Sequence, residues 1–137
     1  MASQLTLSIV TPERELVRAQ VDEVELPGSE GYFGVLPGHT PMLATLTVGR
    51  LTYKSGSDTQ VLAIALGFAE VLPDAVTVLA QIAERPEDID VSRAEASRKR
   101  AEERLSGSTS DLDYQRARVA LDKAALRLQV ASRARAK

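Results

Sequence analysis

The sequence predicts an α+β fold in which an N-terminal antiparallel β-sandwich is followed by a C-terminal two-helix antiparallel hairpin. Three observations lead there. Over residues 3–82 apolar side chains recur at every second position, the signature of strands with one buried face. After Arg85-Pro86 the β-branched residues give way to Ala, Arg, Glu and Leu, all good helix formers. A run of Ser, Gly and Thr at 106–110 then divides the helical stretch, and a break of that length joins antiparallel neighbours.

Within the first part the alternation is carried by Leu5, Leu7 and Ile9, by Val24 and Leu26, and by Leu62, Ile64 and Leu66. Turn signals stand at Thr11-Pro12, Pro27-Gly28, Pro37-Gly38, Ser55-Gly56-Ser57-Asp58 and Pro73-Asp74. Each supplies either a fixed φ or a residue tolerant of positive φ. Many short strands between such turns imply a sandwich or a barrel.

The first helix is predicted over 90–105, with Asp90 as its N-cap, and the second from 111 or 113 to the early 130s. On the second helix Tyr114, Ala117, Leu121, Ala124, Leu128 and Ala131 recur at spacings of three and four, which aligns them in one stripe. The matching stripe on the first helix is thinner: Val91, Ala94, Ala101 and Leu105. At roughly 25 cal/mol per Å² of apolar surface, two stripes so rich in alanine bury little area and make a marginal pair. The hairpin therefore needs a docking surface, which makes it a candidate switch; a terminal hairpin packed permanently on the sandwich is the plainer alternative. The predicted domains are a sandwich over 1–85 and a hairpin over 86–137.

Charge divides along the same line. Residues 1–84 hold 4 basic and 10 acidic side chains, and 85–137 hold 13 basic and 9 acidic. The basic part suits an acidic protein, a nucleic acid or a phosphate, and sign alone does not choose among them. No apolar run approaches the roughly 20 residues of a membrane span, and Met-Ala-Ser-Gln lacks the basic-then-apolar layout of a secretion signal, so a cytosolic setting is expected. With no cysteine and a single histidine, thiolate chemistry and zinc sites are excluded.

One segment is more specific than any of these patterns. Gly28-Ser29-Glu30-Gly31-Tyr32-Phe33-Gly34-Val35-Leu36-Pro37-Gly38-His39-Thr40-Pro41 resembles the loop signature of the epsilon family of rotary, proton-driven ATP synthases. Val10-Thr11-Pro12, Gly67-Phe68-Ala69-Glu70-Val71, Val76-Thr77-Val78-Leu79-Ala80 and Ile89-Asp90-Val91-Ser92-Arg93-Ala94 extend the likeness in order over nearly the whole chain. The resemblance implies a β-sandwich with a helical hairpin, in agreement with the periodicity. It also implies a non-catalytic rotor subunit that clamps the gamma subunit and sits on the membrane-embedded c-ring. Such a subunit is peripheral at the cytoplasmic face of the bacterial inner membrane and reaches the membrane only through the complex.

By the same resemblance the loop containing Glu30, Gly31, Tyr32 and His39 meets gamma and the c-ring. Its glycines allow close backbone approach, and Glu30, Tyr32 and His39 offer polar or amphipathic contacts; a plain turn explains the glycines equally well. In several bacterial members an extended hairpin reaches the catalytic alpha and beta subunits and blocks hydrolysis. Arg93, Arg98, Lys99, Arg100, Arg116, Arg118 and Arg127 suit that contact, although pairs three or four apart account for many such charges.

Some members bind regulatory ATP in the compact form, through residues that correspond to Glu84, Ile89, Asp90, Arg93, Ala94, Arg100, Lys123 and Arg127. Arginine forks can neutralise phosphates, and Glu84 and Asp90 can accept from adenine or ribose. Lys123 departs from the arginine of nucleotide-binding relatives and lacks the bidentate fork. Asp90 is equally explained as a helix cap. No required cofactor, metal or catalytic residue is expected: His39 has no nucleophile and orienting carboxylate patterned around it.

Two other functional classes fit the sequence less well. A nucleic-acid grip by the arginine-rich helices is weakened by the interleaved Glu95, Glu102, Glu103, Asp111, Asp113 and Asp122 and by the lack of an aromatic stacking platform. An enzyme built on the sandwich lacks a phosphate-binding Gly-Lys-Ser/Thr loop and metal-ligand spacing.

Overall fold

The computed structural model describes residues 4–107 and 110–135, with the backbone alone at 134 and 135. Ser3, where the alternation begins, lies outside the described residues, as do Ser108 and Thr109 of the inter-helix break. The chain divides into two compact units, 1–84 and 85–137.

The first unit holds eight strands: β1 (Leu5–Val10), β2 (Glu15–Val21), β3 (Glu23–Gly28), β4 (Gly31–Val35), β5 (Met42–Leu46), β6 (Gly49–Ser55), β7 (Asp58–Leu72) and β8 (Ala75–Glu84). They pair in the order β2-β1-β8-β7-β5-β3-β4, with β6 bonded to β3 and β7. Every pairing is antiparallel except β1 with β8, which is parallel and sets Leu7 opposite Val76. The core between the layers is aliphatic: Leu5, Leu7, Ile9, Val24, Leu26, Leu51, Leu62, Ile64, Val76 and Val78 are all buried in it.

The predicted alternation fails at one instructive place. On β7 the inward residues are Leu62 and Ile64, but further along they are Ala69 and Val71, so the buried face passes from even to odd positions. A regular strand cannot do that, because its side chains alternate strictly. The change occurs at Leu66, whose φ of 57° inserts the missing half-step. Here β7 leaves β6, where Gly49 opposes Ile64, and joins β5, where Leu46 opposes Gly67. Leu66 was expected on the buried face; it is instead 37 % exposed.

Turns fall close to where the sequence places them. Gly56-Ser57 closes β6 on β7, with Gly56 at φ 63°, and Pro73-Asp74 closes β7 on β8. The segment read as a loop from Glu30 to His39 is a correction: Gly31–Val35 is a strand paired with β3, and its connection is Ser29-Glu30, two residues later than Pro27-Gly28. Four glycines in fourteen residues masked a strand, since glycine carries little strand propensity.

The second unit opens with a 3₁₀ turn at Pro86–Asp88 and continues as α1 (Val91–Gly107) and α2 (Asp111–Arg135). Asp90 caps α1: its Oδ1 accepts the Arg93 N–H at 3.1 Å and its carbonyl the Ala94 N–H at 3.0 Å. The cap of α2 is Ser110, whose Oγ accepts the Asp113 N–H at 3.1 Å. Packed on each other, the helices bury Ala94 and Ala101 from α1 and Ala117 and Ala124 from α2. Tyr114, assigned to the stripe from its spacing, is 46 % exposed, whereas Leu126 and Val130 are buried. With 25 residues against 17, α2 outruns α1 and its surplus turns pack on the Pro86–Asp88 turn.

Candidate functional site

The residues singled out around the glycine-rich signature fall in two places. Glu30, Gly31 and Tyr32 sit together at the β3–β4 hairpin tip, beside the Gly28 to Leu46 pairing at the end of β5. His39 lies toward the other end of β5, where Met42 opposes Val71 and the Gly38 N–H donates to the Pro73 carbonyl at 2.7 Å. Its Nδ1 is 2.7 Å from the Thr40 carbonyl and its N–H donates to the Leu36 carbonyl at 3.2 Å. Each end of the strand thus presents its own surface, and the four residues do not form one cluster.

Tyr32 is fixed more firmly than a tip residue need be. Its Oη accepts the Arg50 N–H at 3.0 Å, and the Arg50 guanidinium carbon stands 5.6 Å from the ring centroid, within the range of a cation–π contact. Gly49 makes room for this: a Cβ there would stand 2.7 Å from Tyr32 Oη and closer still to Pro27. Gly31, at φ 130°, holds a conformation that side chains rarely adopt.

A feature that the sequence reading missed lies on the outward face of β5, β7 and β8. Phe68 opposes Thr45 on one side and Leu79 on the other, and Leu43 opposes Glu70. Leu43, Phe68 and Leu79 are 78 %, 60 % and 51 % exposed. With Leu66 they border two adjoining clefts, the larger about 590 Å³ and also walled by Val10, Thr11 and Pro12. Large apolar side chains contiguous on a solvent face mark an interaction surface. The available signal was that Phe68 and Leu79 are out of phase with the core residues Ala69, Val71, Val76 and Val78.

Of the residues assigned to nucleotide by resemblance, Glu84 ends β8 opposite Ala63. Ile89 is buried and donates its N–H to the Pro86 carbonyl at 3.2 Å. Asp90 is engaged as the α1 cap, Ala94 is buried in the helix seam, and Arg93 and Arg100 are exposed. Lys123 and Arg127 line an open cleft of about 410 Å³ with Ser97, Gln115, Arg116, Val119 and Ala120. Arg93 and Arg100 do not line it. Arg116, placed by the sequence among the exposed charges, supplies its third cation. Positions 116, 123 and 127 share one helix face, so Arg116, Lys123 and Arg127 make a cationic strip to which Ser97 and Gln115 add hydrogen-bonding groups. Among the described residues no three histidine, cysteine or carboxylate side chains gather as a metal site, and no helix is long and apolar enough to cross a membrane.

Comparison with known proteins covers both units. Residues 4–86 match the family described as ATP synthase, Delta/Epsilon chain, beta-sandwich domain, and residues 87–132 match the family's long alpha-helix domain. The ATP synthase epsilon chain of Syntrophobacter fumaroxidans is 50 % identical over 133 residues, covering 97 % of this chain and 99 % of that one. The ATP synthase epsilon chain 2 of Syntrophotalea carbinolica is 48 % identical over 134 residues, 97 % of each. Among solved structures, a chain of the Euglena gracilis mitochondrial ATP synthase (OSCP/F1/c-ring, rotational state 1) shares the fold with a TM-score of 0.81 at 21 % identity, over 100 % of this chain and 84 % of that one. A chain of the central stalk and c-ring of the Tetrahymena thermophila mitochondrial ATP synthase gives 0.58 at 14 % identity over 95 % of each. From both its sandwich and its helices, the chain belongs to the delta/epsilon chain family of the ATP synthases, among the epsilon chains.

Proposed function

We propose that this chain is a non-catalytic rotor subunit of a proton-driven ATP synthase, joining gamma to the c-ring through its sandwich and regulating ATP hydrolysis through its helices. The observation that carries the proposal is the outward apolar face of Leu43, Phe68 and Leu79. A sandwich whose core is already complete gains nothing from three large exposed side chains on one face unless another protein covers them. Gamma is the assigned occupant of that face. The hairpin tip with Glu30, Gly31 and Tyr32, or the turn with His39, meets the polar loops of the c-ring. In this role the chain works as a rigid link at the cytoplasmic face of the bacterial inner membrane, held there by the complex.

For the helices, the thin alanine seam supports a hairpin that changes partners at low cost, reaching alpha and beta when extended. The strip of Arg116, Lys123 and Arg127 supports a regulatory phosphate-bearing ligand, ATP, in the compact form. The test mixes the full chain with a matching catalytic head that contains gamma but lacks this subunit, and measures binding and ATP hydrolysis. Binding by the parent, loss of binding in a Leu43→Ser, Phe68→Ser variant and slower hydrolysis in the parent complex support the whole reading. Binding without any change in hydrolysis removes the regulatory part, and no binding by the folded parent removes the rotor assignment.

A further inference from the structure

Leu66 is the one non-glycine residue with a positive φ among the described residues. The left-handed region brings Cβ against the following carbonyl oxygen, a cost that glycine does not bear. The backbone here has little freedom to relax. Ala65 is buried, and a Cβ on Gly67 would collide with the Leu79 carbonyl and Ala80 Cα, so the corner is pressed against β8 on one side and into the protein on the other. Glycine at 66 would satisfy that backbone without strain. The side chain does not repay the cost within the sandwich, for Leu66 is absent from the buried core while Leu62, Ile64, Ala69 and Val71 around it belong to it.

Its side chain points elsewhere. Leu66 walls the cleft of about 590 Å³ with Phe68, Leu79 and the Val10-Thr11-Pro12 corner. Strain held at an interaction surface is a recurrent functional device. We infer that Leu66 is a specificity-determining residue of this face, held in a strained backbone so that its side chain forms a fixed wall of the cleft. On the docking reading above, on which this inference rests, the cleft receives a large apolar side chain of gamma. Glu70 lies beside Phe68 on the same face and lines the adjoining cleft, and residues 1–84 carry 10 acidic against 4 basic side chains. The arriving segment therefore carries a basic residue next to its apolar anchor. A second copy of this chain would bring two acidic sandwiches and their Glu70 carboxylates together, which disfavours it as the occupant.

The test uses the full chain, the gamma-containing catalytic head lacking this subunit, and three variants. Leu66→Gly and Leu66→Asn relieve or tolerate the left-handed backbone, and Leu66→Val worsens it because a β-branched residue is poorly accommodated there. Denaturation midpoints at or above the parent's for Gly and Asn, a lower midpoint for Val, and at least tenfold weaker head binding by Gly and Asn are expected. Parent-like binding by Gly and Asn, with the parent binding well, overturns the inference and leaves the docking reading standing. Sharply lowered midpoints for Gly and Asn also overturn it, by making Leu66 a core residue. A folded parent that fails to bind the head removes the docking reading and the inference with it, and self-association abolished by Leu66→Asn would name a second copy as the occupant.

Discussion

Arg50 engages Tyr32 twice, donating its backbone N–H to the phenol oxygen at 3.0 Å and holding its guanidinium 5.6 Å from the ring centroid. Arg50 Nε is buried without a hydrogen-bond partner among the described residues. A short strand rich in glycine is thereby tied to β6 by a side chain instead of a complete ladder. Tyr32→Phe keeps the ring and removes the accepted hydrogen bond, and should lower stability by about 1 kcal/mol in urea denaturation. Tyr32→Ala removes both contacts and should lower it further, by about 2 kcal/mol.

Gly67 allows no side chain. Its added Cβ would overlap the Leu79 carbonyl and approach Ala80 Cα at 2.8 Å, both backbone atoms of a central strand. Gly67→Ala should cost about 3 kcal/mol or more, as for severe overpacking. A thermal melt that left the midpoint unmoved would show that β7 and β8 can separate at the corner.

Asp90 separates two explanations of one residue. As a cap it supplies an oxygen to the Arg93 N–H, so Asp90→Ala should destabilise α1 by about 1 kcal/mol and Asp90→Asn by only a few tenths. Hydrogen exchange at the first turn of α1 reads this directly. Asn behaving like Ala in the absence of nucleotide would mean that the charge, not the cap, matters.

The helix seam depends on small residues. Ala101 and Ala117 are 2 % and 1 % exposed, leaving no space for a larger group. Ala117→Leu should weaken hairpin packing by about 1 to 3 kcal/mol, seen as faster exchange in both helices with the sandwich strands unchanged. In the regulatory reading the same substitution shifts the hairpin toward its extended form and deepens inhibition of the complex.

Calorimetry with ATP tests the cationic cleft. Arg116→Ala should weaken binding about tenfold, the worth of one charge-assisted contact. Lys123→Arg, which restores the forked donor, should tighten it. No heat from the parent or from Lys123→Arg would leave the cleft without a nucleotide role.

Most elements were legible because their signals are local. Leu5, Leu7 and Ile9 alternate, Gly56 turns, Asp90 caps, and alanines at spacings of three and four mark a helix seam. The departures arise where a local signal competes with something distant. Leu66 kept the alternation on paper, yet the buried face changes parity because β7 must serve β6 and then β5, and no short window carries that demand. Leu43, Phe68 and Leu79 went unnoticed for the same reason, since in a short window an apolar residue on an outward face looks like any other. Asp111 and Asp113 concealed Ser110 as the cap of α2, three acceptable cap residues standing within four positions. Leu126 and Val130 were missed because the excess length of α2, and the turn at 86–88 that covers it, are facts about partners. The cleft containing Arg116 depends likewise on which helix face α1 leaves open.

The parallel ladder between β1 and β8 has a mechanical consequence. The helices are joined to the sandwich through the end of β8, which is bonded to β7 antiparallel along its length and, over Ala75–Leu79, also to β1 in parallel. A pull arriving along the chain from residue 85 therefore runs lengthwise, first along the β7 ladder over residues 80–84 and then between two ladders over residues 75–79. Its hydrogen bonds are loaded side by side in shear, whereas those of an edge strand pulled sideways break one after another. The tether that carries the helices is thus anchored lengthwise in a strand held on both sides over its first half.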